Sequence, residues 1–213
     1  MRVAILTTDT THHSYFVHGL SSAVNVVGVA IETRPGQRQL TQEAADLTLF
    51  GDPPALEGDR FERISVAGPF LADCRPDVMF CYGTGLVPAS VFVIPPIGTV
   101  NCHGGKLPNY RGLDTNIWAA LIGHPEDVGV TLHKMDNRLD QGPIYDFRNL
   151  QLPITLPRLL FETTELCLSM TIDLIMRMSS RVAVPMSGSL ESGIVFKAAP
   201  SDLRESANRA LSQ

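Results

Sequence analysis

The 213 residues include 44% hydrophobic and 18% charged side chains, a balance that excludes a disordered chain and favours one α/β domain with a sizeable core. A formal net charge of −5 and a pI near 5.6, with Lys and Arg scattered, lack the basic footprint of a nucleic-acid binder, so no nucleic-acid partner is expected. Apolar stretches are strand-length and broken by Gly, Pro or charge, and MRVAILTTDT lacks the apolar region of a secretion signal; no membrane partner and a cytoplasmic location are expected.

Val3 to Thr7 is a continuous apolar run, the mark of a strand buried on both faces. TTDTTHH reads as a loop, and Phe16, Leu20 and Ala23 sit at helical spacing, so a helix is expected over 13–23. A second strand over 24–31 completes a β-α-β start and implies a mostly parallel sheet with right-handed crossovers. Residues 33–68 have no firm period and read as a surface helix and a loop. A short helix over 70–74, a strand over 77–82 ending in Gly83-Thr84-Gly85, a helical turn over 88–91 and a strand over 98–102 follow.

Beyond the loop 103–114, a helix over 116–122 closes at Gly123, suited to the left-handed conformation past a helix end. Strands are expected over 128–135 and 144–152, and a long helix over 157–178, with Pro157 in its first turn and Leu159, Leu160, Thr163, Leu166, Met170 and Leu174 along one face. Ile194-Val195-Phe196 suggests a short strand before a terminal helix. The cysteines at 74, 81, 102 and 167 form no Cys-x-x-Cys pair; they read as buried free thiols, and no metal site is expected.

Side chains alternate across a strand, so Asn101 and His103 project to the same side at the carboxyl end of their strand, where ligands sit in doubly wound sheets. The loop Gly104 to Gly112 is rich in residues that let backbone approach a ligand closely, and the turn Asn137 to Gly142 can bring Asp140 to the same mouth. Taken singly, Asn101 reads equally as a strand-end cap, Asp140 as a turn residue and His103 as a loop histidine. His133 reads as packed within its strand and Trp118 as core.

In combination, Asn101-Cys102-His103, Leu107-Pro108, Tyr110-Arg111-Gly112, Gly129-Val130-Thr131 and Leu139-Asp140-Gln141-Gly142-Pro143 resemble the formyltransferase family, which includes glycinamide ribonucleotide, methionyl-tRNA and amino-sugar enzymes. The resemblance covers residues 77–150 closely. It departs at Gly105, where the family commonly has a small hydroxyl residue, and at Lys106, where it commonly has an apolar one.

The resemblance implies a Rossmann-like, doubly wound catalytic domain over 1–180, with 181–213 as an extension of open role. It implies an N-formyltransferase that uses 10-formyltetrahydrofolate, needs no metal, and has Asn101, His103 and Asp140 as its catalytic set. Phe80, Gly83, Gly85, Leu86 and Val87 would then belong to a first pterin loop, and Arg138 and Leu139 to a second. Tyr110, Arg111, His12 and His13 are candidate contacts for a small-molecule amine, with a nucleotide-linked amino sugar favoured. A homodimer is left open. A 10-formyltetrahydrofolate hydrolase and a non-catalytic folate-binding scaffold are the competing readings. Hydrolases of the family usually carry a further N-terminal domain and the methionyl-tRNA branch a C-terminal one, and the chain is expected to have neither.

Overall fold

The computed structural model describes residues 1–213 apart from 35, 38, 181–183, 185 and 188–192. In chain order, β1 (Val3–Thr8), α1 (Thr11–Ala23), β2 (Val26–Glu32), α2 (Leu40–Glu43), β3 (Asp59–Phe61), α3 (Gly68–Cys74), β4 (Val78–Tyr82), α4 (Ala89–Phe92) and β5 (Thr99–Gly104) build the first half. Then come β6 (Tyr110–Gly112), α5 (Thr115–Ile122), β7 (Gly129–Lys134), β8 (Ile144–Asn149), α6 (Leu156–Ser179), β9 (Ile194–Phe196) and α7 (Arg204–Leu211).

Seven strands form one sheet in the order β3-β2-β1-β4-β5-β7-β8. The first five are parallel, and β7 and β8 join antiparallel. The doubly wound, mostly parallel architecture expected from the β-α-β start is therefore present. Strand order reverses between β1 and β4, which opens a crevice at their carboxyl ends.

Alternation along the strands divides the interior. Val3, Ile5, Val78, Phe80, Tyr82, Val100, Cys102, Val130 and Leu132 face α1 and α6, where they meet Phe16, Leu20, Cys167, Met170 and Leu174. Ala4, Leu6, Met79 and Cys81 face the other way, against Leu71 of α3 and Val91 and Phe92 of α4. A third cluster joins α5, the start of α6 and α7 through Ile117, Leu156, Leu159, Ala207 and Leu211.

Most expected elements hold to within a residue or two; the strand expected over 144–152 ends at Asn149, and three further differences bear on the site or its edges. The helix starts at Thr11, so His12 and His13 lie in its first turn and not in a loop. Within 33–68 the expected surface helix shrinks to α2, and the edge strand β3 appears; at three residues, largely exposed, it buries too little to leave a periodic trace. The loop 103–114 contains β6, whose partner β9 lies far along the chain. All four cysteines are free, and Cys74 is half-buried rather than buried.

Candidate active site

Because β5 alternates, Val100 and Cys102 enter the core under α6 while Asn101 and His103 emerge on the opposite face. The antiparallel register sets Asn101 against His133 and His103 against Thr131, so all four side chains share that face. Instead of a long helix, the loop after β5 lies over it. Thr131 Oγ1 donates to the Gly105 carbonyl (2.7 Å) and accepts from Leu107 N (3.2 Å). Lys106 pairs with the buried Asp127 at 2.7 Å, and Asn109 donates to the same carboxylate at 3.2 Å. The two departures from the family pattern thus have structural tasks: Lys106 anchors the loop, and Gly105 adopts φ +98°, a conformation glycine tolerates best.

Asp140 lies where these residues meet. Its Oδ2 accepts from Gly112 N at 3.0 Å and stands 3.8 Å from His103 Nδ1. Its Oδ1 stands 3.5 Å from Asn101 Nδ2 and 3.7 Å from His133 Nε2. Asp140 itself is in the left-handed region, φ +49°, which costs a non-glycine residue energy and persists only where surroundings hold it. The expected convergence of Asn101, His103 and Asp140 is present in the geometry, and each of His103 and Asp140 is at least nine-tenths buried.

His133, packed within its strand as expected, also belongs to this constellation. Its Nδ1 faces the Lys134 carbonyl (3.2 Å), which can only accept, so Nε2 carries the lone pair and receives the Asn101 amide N–H at 3.1 Å. Burial, and then the nearby His103, lowers its pKa to about 4 against the pull of Asp140, so it stays neutral near pH 7. The same logic fixes His103: Nε2 lies 2.8 Å from the Tyr110 carbonyl and must carry the hydrogen, which leaves Nδ1 toward Asp140. The period-two pattern of β7 already put His133 on the face of Thr131; that this face looks onto Asn101 and His103 depends on the antiparallel pairing with β5.

The candidate pterin residues divide. Gly83, at φ +84°, and Gly85 turn the chain sharply after β4, and the buried Glu32 at the end of β2 accepts from Gly85 N at 2.6 Å and Ile64 N at 3.1 Å. Leu86 projects into solvent, 83% exposed. Phe80 is a correction: it is fully buried against α1 and α6 and cannot line a pterin pocket. Val87 is mostly buried against α3 and α4. Arg138 turns back on Asp136 at 2.6 Å, and Leu139 is 41% exposed.

The candidate acceptor residues are drawn inward. Tyr110 stacks on Phe196 with centroids 5.6 Å apart. Arg111 is buried, with Nε on the Leu139 carbonyl (2.9 Å) and Nη1 on that of Gly193 (3.2 Å), so its guanidinium braces the turn carrying Asp140 rather than facing an open pocket. His12 and His13 are buried against Tyr82, and His13 Nδ1 lies 2.8 Å from both Thr8 Oγ1 and Thr10 Oγ1. Trp118, expected in the core, is half-buried and stacks on Phe196. Among the described residues no group of His, Cys, Asp and Glu is arranged to hold a metal ion, and no helix is long and apolar enough to cross a membrane.

Residues 1–154 match the formyl transferase family model. The chain belongs to this family. A methionyl-tRNA formyltransferase from Dehalococcoides mccartyi is 43% identical over 77 residues, 36% of this chain and 24% of that protein. The chain thus spans about a quarter of that relative's length. Among solved structures, a 4-N formyltransferase from Francisella tularensis superposes with a TM-score of 0.65 at 15% identity, covering 91% of this chain and 75% of that one. A formyltransferase from Anoxybacillus kamchatkensis, solved with UDP-4,6-dideoxy-4-formamido-L-AltNAc and tetrahydrofolate, gives 0.58 at 16% identity over 96% and 89%. At such identities these likenesses show the shared formyltransferase fold, in which the Asn101–His103–Asp140 mouth lies at the carboxyl end of the sheet.

Proposed function

We propose that the protein transfers a formyl group from 10-formyltetrahydrofolate to the primary amine of a small molecule. The observation that carries this reading is the meeting of an amide, an imidazole and a carboxylate within 4 Å of Asp140, on a face of the sheet free of long helices. Attack of a neutral amine on the formyl carbon moves the carbonyl electron pair onto oxygen and leaves the nitrogen positive. Collapse of that intermediate breaks the bond to the folate nitrogen, which takes up a proton as the amine gives one up.

Asn101 supplies an N–H to the developing oxyanion, a contact worth about 10²–10³-fold in rate. Its contact with Asp140, at 3.5 Å the weakest it makes, is the one the formyl oxygen displaces. His103, donating through Nε2 to a carbonyl, keeps Nδ1 for the reaction and shares the oxyanion when protonated. Asp140 holds His103 through Nδ1 once that nitrogen is protonated, and accepts the amine proton directly or through water, a proton-transfer contribution on the order of 10²–10⁴. The donor binds against the loops 83–87 and 137–140, where Leu86 and Leu139 offer exposed apolar surface for a flat ring system.

For the acceptor we favour a nucleotide-linked amino sugar over a tRNA. A net charge of −5 works against the phosphates that dominate nucleic-acid affinity. The Anoxybacillus kamchatkensis relative was solved with a UDP-linked formamido sugar. The test supplies 10-formyltetrahydrofolate with a panel of amines, including nucleotide-linked amino sugars and methionyl-tRNA, and follows tetrahydrofolate release and product mass. Amine-dependent release with a formylated sugar is the expected result. Release without amine indicates the hydrolase, binding without release the scaffold, and formylated methionyl-tRNA overturns the acceptor assignment.

A further inference from the structure

The segment 193–199 reaches the reactive constellation through one intermediary. Strand β9 pairs in parallel with β6, Tyr110 against Ile194, Arg111 against Val195 and Gly112 against Phe196. All three residues of β6 then act on the site. The Tyr110 carbonyl receives His103 Nε2–H, Arg111 braces the Leu139 carbonyl, and the Gly112 amide holds Asp140 Oδ2.

A two-stranded sheet of this length is marginal by itself, so other interactions must keep β9 in register. Phe196 stacks on both Tyr110 and Trp118, at 5.6 and 5.5 Å, and the Trp118 indole donates to the Lys197 carbonyl at 2.8 Å. Leu113 N donates to the Phe196 carbonyl at 3.1 Å, and Arg111 Nη1 to that of Gly193. Farther along, Ala199 N donates at 2.9 Å to the buried Asp114 carboxylate, which also holds Leu40 N and Thr41. The fit is close backbone to backbone: a Cβ at Gly112 would strike the Phe196 carbonyl, and one at Gly193 the Pro108 carbonyl.

We propose that β9 is a positioning element for the catalytic pair. By holding β6, it keeps His103 in the Nε2–H tautomer with Nδ1 toward Asp140, and it keeps Asp140 in its left-handed conformation. Misplacing a reacting group by about an ångström costs on the order of 10²-fold in rate, so loosening β9 reads out in turnover before it reads out in binding. The proposal rests on the formyl-transfer reading only for its kinetic half; the tautomer is a property of the protein itself.

The experiment compares the whole chain with Phe196→Ala, Phe196→Tyr and Trp118→Phe. In Phe196→Ala, kcat is expected to fall at least about tenfold, with the donor KM within about threefold of its starting value and the acid limb of the pH–rate profile displaced. Phe196→Tyr, which keeps the flat stack, should restore the rate. Nitrogen NMR of labelled histidines should find His103 as the Nε2–H tautomer in the parent protein and in Phe196→Tyr, and exchanging between tautomers in Phe196→Ala. If Phe196→Ala does not fold, Trp118→Phe, which keeps an aromatic ring but removes the bond to Lys197, should give the same effects at smaller size. A variant with a fixed His103 tautomer and the parent kcat overturns the proposal. A parent protein that turns over no amine sinks the formyl-transfer reading instead, and leaves the tautomer measurement to decide the role of β9.

Discussion

Two pairs of histidines stand at the carboxyl edge of the same sheet and have opposite surroundings. His12 and His13 lie with ring centroids 3.9 Å apart and planes tilted by 40° on the α1 and α6 side, beside Tyr82 and two threonine hydroxyls. His103 and His133, 6.3 Å apart on the other face, share a carboxylate. Without an anion, burial dominates the first pair: it lowers His12 to about 4, and burial together with the adjacent His12 holds His13 well below its ordinary value, so both stay neutral. In the second pair Asp140 gives a proton somewhere to go, and Asn101 bridges the carboxylate and a ring nitrogen. What separates the two pairs is the acid beside the second, not their shared edge of the sheet.

The contrast breaks most readily at the carboxylate side. Asn101→Ala and His103→Ala should each lower turnover at least about 10²-fold while the circular dichroism spectrum and melting transition persist. Asp140→Asn keeps the side-chain volume and the bond from Gly112 but removes the proton acceptor, and should fall by about 10²–10⁴. Near-parent kcat in any of these would remove the constellation from the reaction.

Acid stability sharpens the comparison next. His12 and His133 have folded pKa values near 4 against an ordinary 6.5, so above pH 6.5 both states are neutral and the full stability is present. As pH falls from 6.5 toward 4, the unfolded chain takes up protons that the folded one refuses. Each group then removes about 1.4 kcal/mol per pH unit until its folded form also protonates. Urea midpoints between pH 7 and 4 should drop accordingly, and either His12→Gln or His133→Gln should flatten the drop. Only His133→Gln should also slow turnover, by about tenfold, because it alone orients the Asn101 amide. Equal kinetic losses in both variants would erase the distinction between the pairs.

What the sequence disclosed and withheld follows the same division. The apolar runs of β1, β4 and β5 and the helical spacing of α6 are local signals, and alternation put Asn101 and His103 on one face without any knowledge of the fold. The role of Arg111 was hidden because its guanidinium binds the Gly193 carbonyl 82 residues away. His133 was hidden because the pairing direction of β7 decides what its face looks onto. Phe80 was misassigned because residues beside a ligand loop alternate, and its own parity turns it into the core. Local periodicity encodes which side a residue takes; the partner on that side is a tertiary matter.

The turn after β4 runs beside the first histidine pair, and its glycine gives a smaller test. A Cβ at Gly83 would strike His13 Nε2, and φ +84° is unfavourable for alanine whatever the space. Gly83→Ala should therefore cost more than about 1 kcal/mol of stability. Adding His13→Ala should recover only the steric part and leave the backbone part. Complete recovery in a double-mutant cycle would mean that the turn is not held in the left-handed region.

The smallest expected effect on catalysis concerns the carboxylate that ties this turn to the neighbouring strand. Glu32 offers one oxygen to Gly85 N and the other to Ile64 N. Glutamine has one oxygen and one amide nitrogen, so Glu32→Gln must set a donor against one of the two backbone N–H groups. The amide should turn its oxygen to one partner and release the other, at a cost of about 1–3 kcal/mol for the buried group left unsatisfied. If Gly85 is the one released, the loop loosens where the donor is proposed to bind. The donor KM should then rise severalfold with kcat nearly unchanged, because the proposed reactive groups sit on β5, β7 and the turn at 140, away from the end of β2 that carries Glu32. A fall in kcat at constant KM would instead connect Glu32 to the chemistry and contradict this separation.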